Sequence, residues 1–154
     1  LQQIETKQYR RAIYNIATVC ICGGFAPLFN GGWLEVVGAS AAGAVLALIV
    51  TIGKKLKIQG FIQDVLSSFG LALMAIFLKR QFPAMNMDTV IISGIMPLVP
   101  GVAITTAIRD TLQGDYLSGC ARILEAFLCA VSVALGVALA MAATGIMGTG
   151  GVVL

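Results

Sequence analysis

Trp33 to Ile52 runs for twenty residues with one charge, Glu35, near its start. As a helix it would be about 30 Å long, the thickness of a hydrocarbon core. A helix that is apolar on every side must be covered by other protein or by lipid. Four more stretches approach the same length: Ala12 to Phe29, Phe61 to Leu78, Val90 to Ile108 and Ala121 to Ile146. Each is about twice as long as a barrel strand and lacks period-2 alternation. Composition agrees, because only 11% of residues are charged where a soluble domain carries about 25%. The expected fold is an all-α polytopic membrane helix bundle of about five transmembrane helices, occupying residues 12–154. A net charge of +3, spread over short clusters, leaves no basic stripe for a nucleic acid.

The separators carry turn chemistry or charge: Asn30-Gly31-Gly32, Lys54-Lys55-Leu56-Lys57, Lys79-Arg80-Gln81-Phe82-Pro83, and a polar loop from Arg109 to Arg122. Loop Lys and Arg set orientation. With the N-terminus inside, Lys7, Arg10, Arg11, Lys54, Lys55, Lys57, Arg109 and Arg122 fall on the cytoplasmic side and only Lys79 and Arg80 outside. Five spans then place Leu154 outside. Gly38/Ala42, Ala39/Gly43 and Gly136/Ala140 are small-xxx-small pairs, which let helices approach closely in lipid. They suit packing within one bundle first and a homo-oligomer face second.

The fourth stretch contains Met96-Pro97-Leu98-Val99-Pro100-Gly101 at its middle. Each proline removes a backbone donor and clashes with the preceding turn, so this Pro-x-x-Pro-Gly element should break the helix. Pro100 suits the first position of a new half-helix running through Thr105 and Thr106. Its N-terminus would present free N–H groups and a positive dipole end near the bilayer midplane. Discontinuous helices of transporters hold substrate carboxylates in this way, whereas a simple packing kink is the plainer alternative. Thr105 and Thr106 either offer hydroxyls to a substrate or bond back to their own helix.

Carboxylates in the apolar stretches are functional candidates by default. Asp64 and Glu125 each lie a turn or so into a span on the cytoplasmic side, and Glu35 opens the second span on the outer side. They either carry a coupling proton or cation or simply complement helix N-termini, and Glu125 is also spaced to pair with Arg122. The loop bearing Arg109, Asp110 and Arg122 reads equally as a cytoplasmic gate or docking element and as an interfacial hairpin. Histidine is absent from the chain, which removes Ser-His and Cys-His arrangements and most metal sites. Cys20-Ile21-Cys22 has the wrong spacing for zinc, and all four cysteines read as small buried hydrophobes. No phosphate-cradling loop is present. The expectation is a protein without cofactor or metal that is not an enzyme. An intramembrane hydrolase would have only Asp64 and Asp115 to work with.

Leu98-Val99-Pro100-Gly101, Ala107-Ile108-Arg109-Asp110, Gly114-Asp115 and Ser118-Gly119-Cys120-Ala121-Arg122, with Asn30-Gly31-Gly32-Trp33 earlier, resemble the threonine/serine exporter family over roughly Phe29 to Met141. The motif maps onto Pro100, Gly101, Arg109, Asp110, Gly114, Gly119 and Arg122. The resemblance is to the five-span module that is either fused to a second such module or, in YjjP-type proteins, a separate subunit. It implies export of small hydrophilic metabolites across the bacterial inner membrane, amino acids such as threonine and serine in some members and dicarboxylates such as succinate in others. It also implies a partner membrane module of YjjB type and a soluble domain before the first span, of which residues 1–11 would be a cytoplasmic remnant.

The resulting expectation is one subunit or half of a secondary exporter. Its substrate would be held beside Pro97, Pro100, Gly101, Thr105 and Thr106, with Asp64, Arg109, Asp110, Arg122 and Glu125 in coupling or gating. Arg109 lies about 12 Å along a helix from Gly101, too far to serve the second carboxylate of a diacid held at the break, which favours amino acids. The alternative is a membrane scaffold or assembly subunit with no site of its own, for which Pro100 would be dispensable.

Overall fold

The computed structural model describes residues 11–56 and 59–145. Residues 1–10 of the expected tail, Lys57 and the end of the fifth stretch at Ile146 therefore lie outside the described residues, while Arg11, expected to end the tail, opens the first helix. Every regular element described is helical: α1 Arg11–Phe25, α2 Trp33–Lys55, α3 Gly60–Gln81, α4 Met87–Ile95, α5 Gly101–Leu112 and α6 Tyr116–Ala143. Short 3₁₀ turns follow α1 (Ala26–Phe29) and α4 (Met96–Leu98).

Three helices, α2, α3 and α6, are long and apolar enough to cross a membrane. The segments Met87–Leu98 and Gly101–Leu112 pass as a pair bent by 54°. The first apolar helix, Ile13–Phe29, is shorter at 17 residues, because Pro27 tightens its end into a 3₁₀ turn and Asn30 leaves the helix at φ 62°. The architecture is thus three long apolar helices, one bent pair and one short apolar helix.

α2, α3 and α4 share the core, where Leu46, Leu71, Met85 and Val90 are buried among Ala42, Val50 and Ala75. α1 lies along α2, and α3 packs on both α2 and α6. The small-xxx-small pairs work inside the chain. A side chain at Gly38 would meet Met85 and Val90, and one at Gly43 would meet the Cys22 side chain at 2.7 Å. A side chain at Gly136 would strike the Val65 carbonyl, the Ser68 hydroxyl and the Phe69 amide of α3. The close approach they permit is what substitutes for the hydrophobic drive in lipid.

α5 lies mainly against α6. Cys129 of α6 meets Asp64 near the start of α3, and Gly136 meets Val65 and Ser68 further along. The two helices therefore run in the same direction, and about the first nine residues of α6, Tyr116 to Leu124, extend past the beginning of α3. α5 and this part of α6 form a projecting hairpin. Its outer face is apolar and open, with Val102 78%, Leu112 83% and Leu117 86% exposed.

The polar loop expected from Arg109 to Arg122 is mostly helix. Arg109 and Asp110 end α5, Ser118 to Arg122 open α6, and only Gln113, Gly114 and Asp115 connect them. The charges do not break the helices because they pair between them. The stop comes from Gly114, whose φ of +88° is open to glycine and strained for other residues. Its N–H donates to the Thr111 carbonyl (3.1 Å) and that of Asp115 to Asp110 (3.0 Å), the Schellman pattern. Asp115 then caps α6 by accepting from the Ser118 N–H.

Candidate functional site

The break between α4 and α5 is the centre of the candidate site. Pro97 sits in the 3₁₀ turn, Val99 is extended, and Pro100 caps α5, with Gly101 rather than Pro100 as the first helical residue. The Gly101 N–H turns back to the Val99 carbonyl (2.8 Å) and that of Ile104 to Pro100 (3.1 Å). The N–H groups of Val102 and Ala103 have no carbonyl one turn back within the helix. They and the α5 dipole end are the anion-attracting feature of the break. Gly101 and Thr105 are exposed, while Pro97, Pro100 and Thr106 are half-buried.

The hydroxyl protons of the threonines are committed to their own helix. Thr105 donates to Gly101 and Val102, and Thr106 to Val102 and Ala103. Only their lone pairs remain for a ligand, and the Thr106 oxygen also lies 3.5 Å from an Arg122 nitrogen.

On the bundle side of the break three elements meet. The Cys129 thiol of α6 lies 3.5 Å from the Asp64 carboxylate of α3 and 3.4 Å from the Leu98 carbonyl. Cys129 was expected to be a plain buried hydrophobe. It is half-buried and hydrogen-bonded instead, while Cys20 and Cys120 are exposed and Cys22 is buried. Its signal was a polar stripe on an apolar helix, Glu125, Cys129 and Ser132 at i, i+4 and i+7. Asp64 is the fifth residue of α3, so the break lies beside the first turns of α3, about 6 Å from its start, and level with the middle of α6. Glu125 is exposed one turn before Cys129.

The gating candidates divide. Asp110 and Arg122 form an ion pair of 2.9 Å between α5 and α6. Ser118 donates to the same Asp110 oxygen (3.0 Å). Arg122 therefore pairs across the hairpin with Asp110 rather than along its own helix with Glu125. Gly119 lets the helices touch there, since a side chain at that position would meet the Ala107 carbonyl at 3.1 Å. Arg109, on the exposed side of the last turn of α5, joins no ion pair among the described residues. The series of motif residues from Asp110 to Arg122 is in this way accounted for as the clasp of the hairpin.

Residues 1–144 match the sequence model of a family described as "Putative threonine/serine exporter". The chain belongs to the threonine/serine exporter family. No curated protein and no solved structure matches it. Membership makes it a member of a transporter family, which is not an enzyme class, and the apolar helices of this exporter-family chain suit a membrane.

At the other end of the bundle Glu35, buried to 8% exposure, accepts from the Gly32 N–H (2.8 Å) and the Asn86 N–H (2.9 Å). Lys79 donates to the Pro83 and Met85 carbonyls (2.8 and 2.7 Å). Glu35 therefore holds the α1–α2 turn and the α3–α4 connection together, and Lys79 braces the latter. An open groove of about 620 Å³ runs beside them between α1 and α2, past Gly23, Gly24, Trp33 and Ser40. Sequence reasoning missed it, although the glycine pairs at 23–24 and 31–32 were its signal.

Proposed function

We propose that this chain is one membrane module of a secondary exporter for small hydrophilic carboxylates, with threonine- and serine-type amino acids preferred over succinate-type dicarboxylates. The observation that carries the reading is the break itself. It leaves the first N–H groups of α5 without helical partners, while the Leu98 carbonyl just before it and the Asp64 carboxylate, both acceptors, face one thiol, that of Cys129. Donors on one side and acceptors on the other match a zwitterion, and irregular backbone within an apolar bundle belongs where it lines a path. Pro97, Pro100 and Gly101 shape the site, and Thr105 and Thr106 flank it with hydroxyl lone pairs. Asp110 and Arg122 hold the hairpin that carries α5, so gating by them and by Arg109 amounts to movement of that hairpin. Glu125 and Asp64 give the inner side of the site its negative charge.

The short α1 and the bent pair bring the count to five crossings, with the N-terminus in the cytoplasm of a bacterial inner membrane and the C-terminus outside. Lys54 and Lys55 at the end of α2 and Arg109 and Arg122 on the hairpin support this orientation. The open apolar face of the hairpin is where a second five-span module packs, and alternating access is rocking of the two modules about the break.

The test is efflux of labelled threonine, serine and succinate from preloaded proteoliposomes containing the full-length protein, the second module, or both. Efflux of threonine and serine from the pair alone, faster than that of succinate, is expected. Absence of all three from a verifiably folded pair would leave a scaffold role.

A further inference from the structure

The acceptor side of the break has a composition that the exporter reading does not itself require. Asp64 is a half-buried carboxylate near the start of an apolar helix. Among the described residues its side chain has no cationic partner, the ion pair there being Arg122 with Asp110. Its hydrogen bond comes from a thiol, a weak donor. The same thiol faces the Leu98 carbonyl, left without a helical donor by the break. One turn along α3 from Asp64, on the same face, the Ser67 hydroxyl is completely buried and has no hydrogen-bond partner. Glu125, one turn before Cys129 on α6, adds a second negative charge on this side.

Carboxylate, carbonyl and hydroxyl oxygens gathered without a cation call for a ligand rich in donors and positively charged. Among the described residues no three metal-ligating side chains cluster, so a transition metal is poorly served. An ammonium group carries three donors that can be aimed separately. The Asp64 and Leu98 oxygens both lie within 3.5 Å of one sulfur, so the two acceptors face a common point, and one ammonium beside that thiol would donate to each with bonds of about 2.8 Å.

We propose that Asp64 and the Leu98 carbonyl, with Ser67 behind them, form the subsite that binds the substrate's ammonium group. This rests on the exporter reading and adds a selection rule to it. A dicarboxylate brings no donor to Asp64 and sets a second negative charge against it, whereas an amino acid satisfies both sides of the break.

The experiment is equilibrium binding to membranes containing the full transporter, with labelled threonine and two competitors. Ethanolamine carries an ammonium and no carboxylate, and glycerate carries a carboxylate and no ammonium. Both should displace threonine from the wild type, and replacing sodium by potassium should change nothing. In Asp64→Asn the half-saturation for threonine should rise at least about tenfold, the worth of a charged hydrogen bond. Ethanolamine should lose its effect while glycerate keeps its own within about twofold. Asp64→Glu, which keeps the charge, should lie between the two. The proposal is overturned if ethanolamine displaces threonine from Asp64→Asn as it does from wild type. It is also overturned if threonine binding depends on sodium, which would make Asp64 an ion site, or if both variants lose glycerate sensitivity as well, which would make its role structural. Wild-type membranes that bind none of the three compounds would count against the exporter reading itself.

Discussion

Single residues at the two ends of this molecule carry hydrogen bonds that tie elements together, and their replacement has directions that geometry sets. Gly114 holds φ +88°, a region that costs an L-residue about 1–2 kcal/mol. Gly114→Ala should therefore lower stability by about 1 kcal/mol, read as a lower midpoint in thermal denaturation of the detergent-solubilised protein. Glu35 joins the Gly32 and Asn86 amides, so Glu35→Gln should lower the same midpoint by a few degrees while leaving substrate affinity unchanged. A large loss of affinity would move Glu35 into the transport path. The Asp110–Arg122 pair is partly exposed, where such pairs are worth up to about 1 kcal/mol. Either Asp110→Arg or Arg122→Asp alone should slow efflux by about fivefold, and the double swap should recover most of it. That pair shows where linear reading stops. Two charges twelve residues apart look like a polar loop until the two helices fold against each other.

Among the elements, α6 depends most on small residues. Gly136 touches the backbone of α3, so Gly136→Leu should prevent the α3–α6 contact and yield aggregated protein on size-exclusion chromatography. The long helices were legible because each is a continuous apolar run, and the bend between α4 and α5 falls on the stretch that holds Pro97 and Pro100. Two things were not. The start of α6 lay hidden behind Ser118 and Arg122, polar residues that spend their polarity on Asp110 of α5. The meeting of Asp64, Leu98 and Cys129 joins three segments, and a cysteine's hydropathy gives no sign that its thiol faces a carboxylate.

For the whole molecule, the loop Lys and Arg predict an orientation that labelling can test. In a background with Cys20 and Cys120 changed to serine, Arg80→Cys should react with a membrane-impermeant maleimide from outside intact cells. Lys55→Cys should react only after the membrane is opened, and the reverse pattern would invert the topology. The projecting α5–α6 hairpin, open and apolar along Val102, Leu112 and Leu117, is the part least able to stand alone. The central claim is that the break is the substrate site, and Pro100→Ala tests it most directly. Alanine restores an N–H able to bond the Met96 carbonyl and lets the chain run on as helix. Labelled threonine efflux from vesicles holding the paired modules should fall at least about tenfold, the scale of one lost charged contact. Efflux equal to wild type from the variant would contradict the account and leave the break as packing alone.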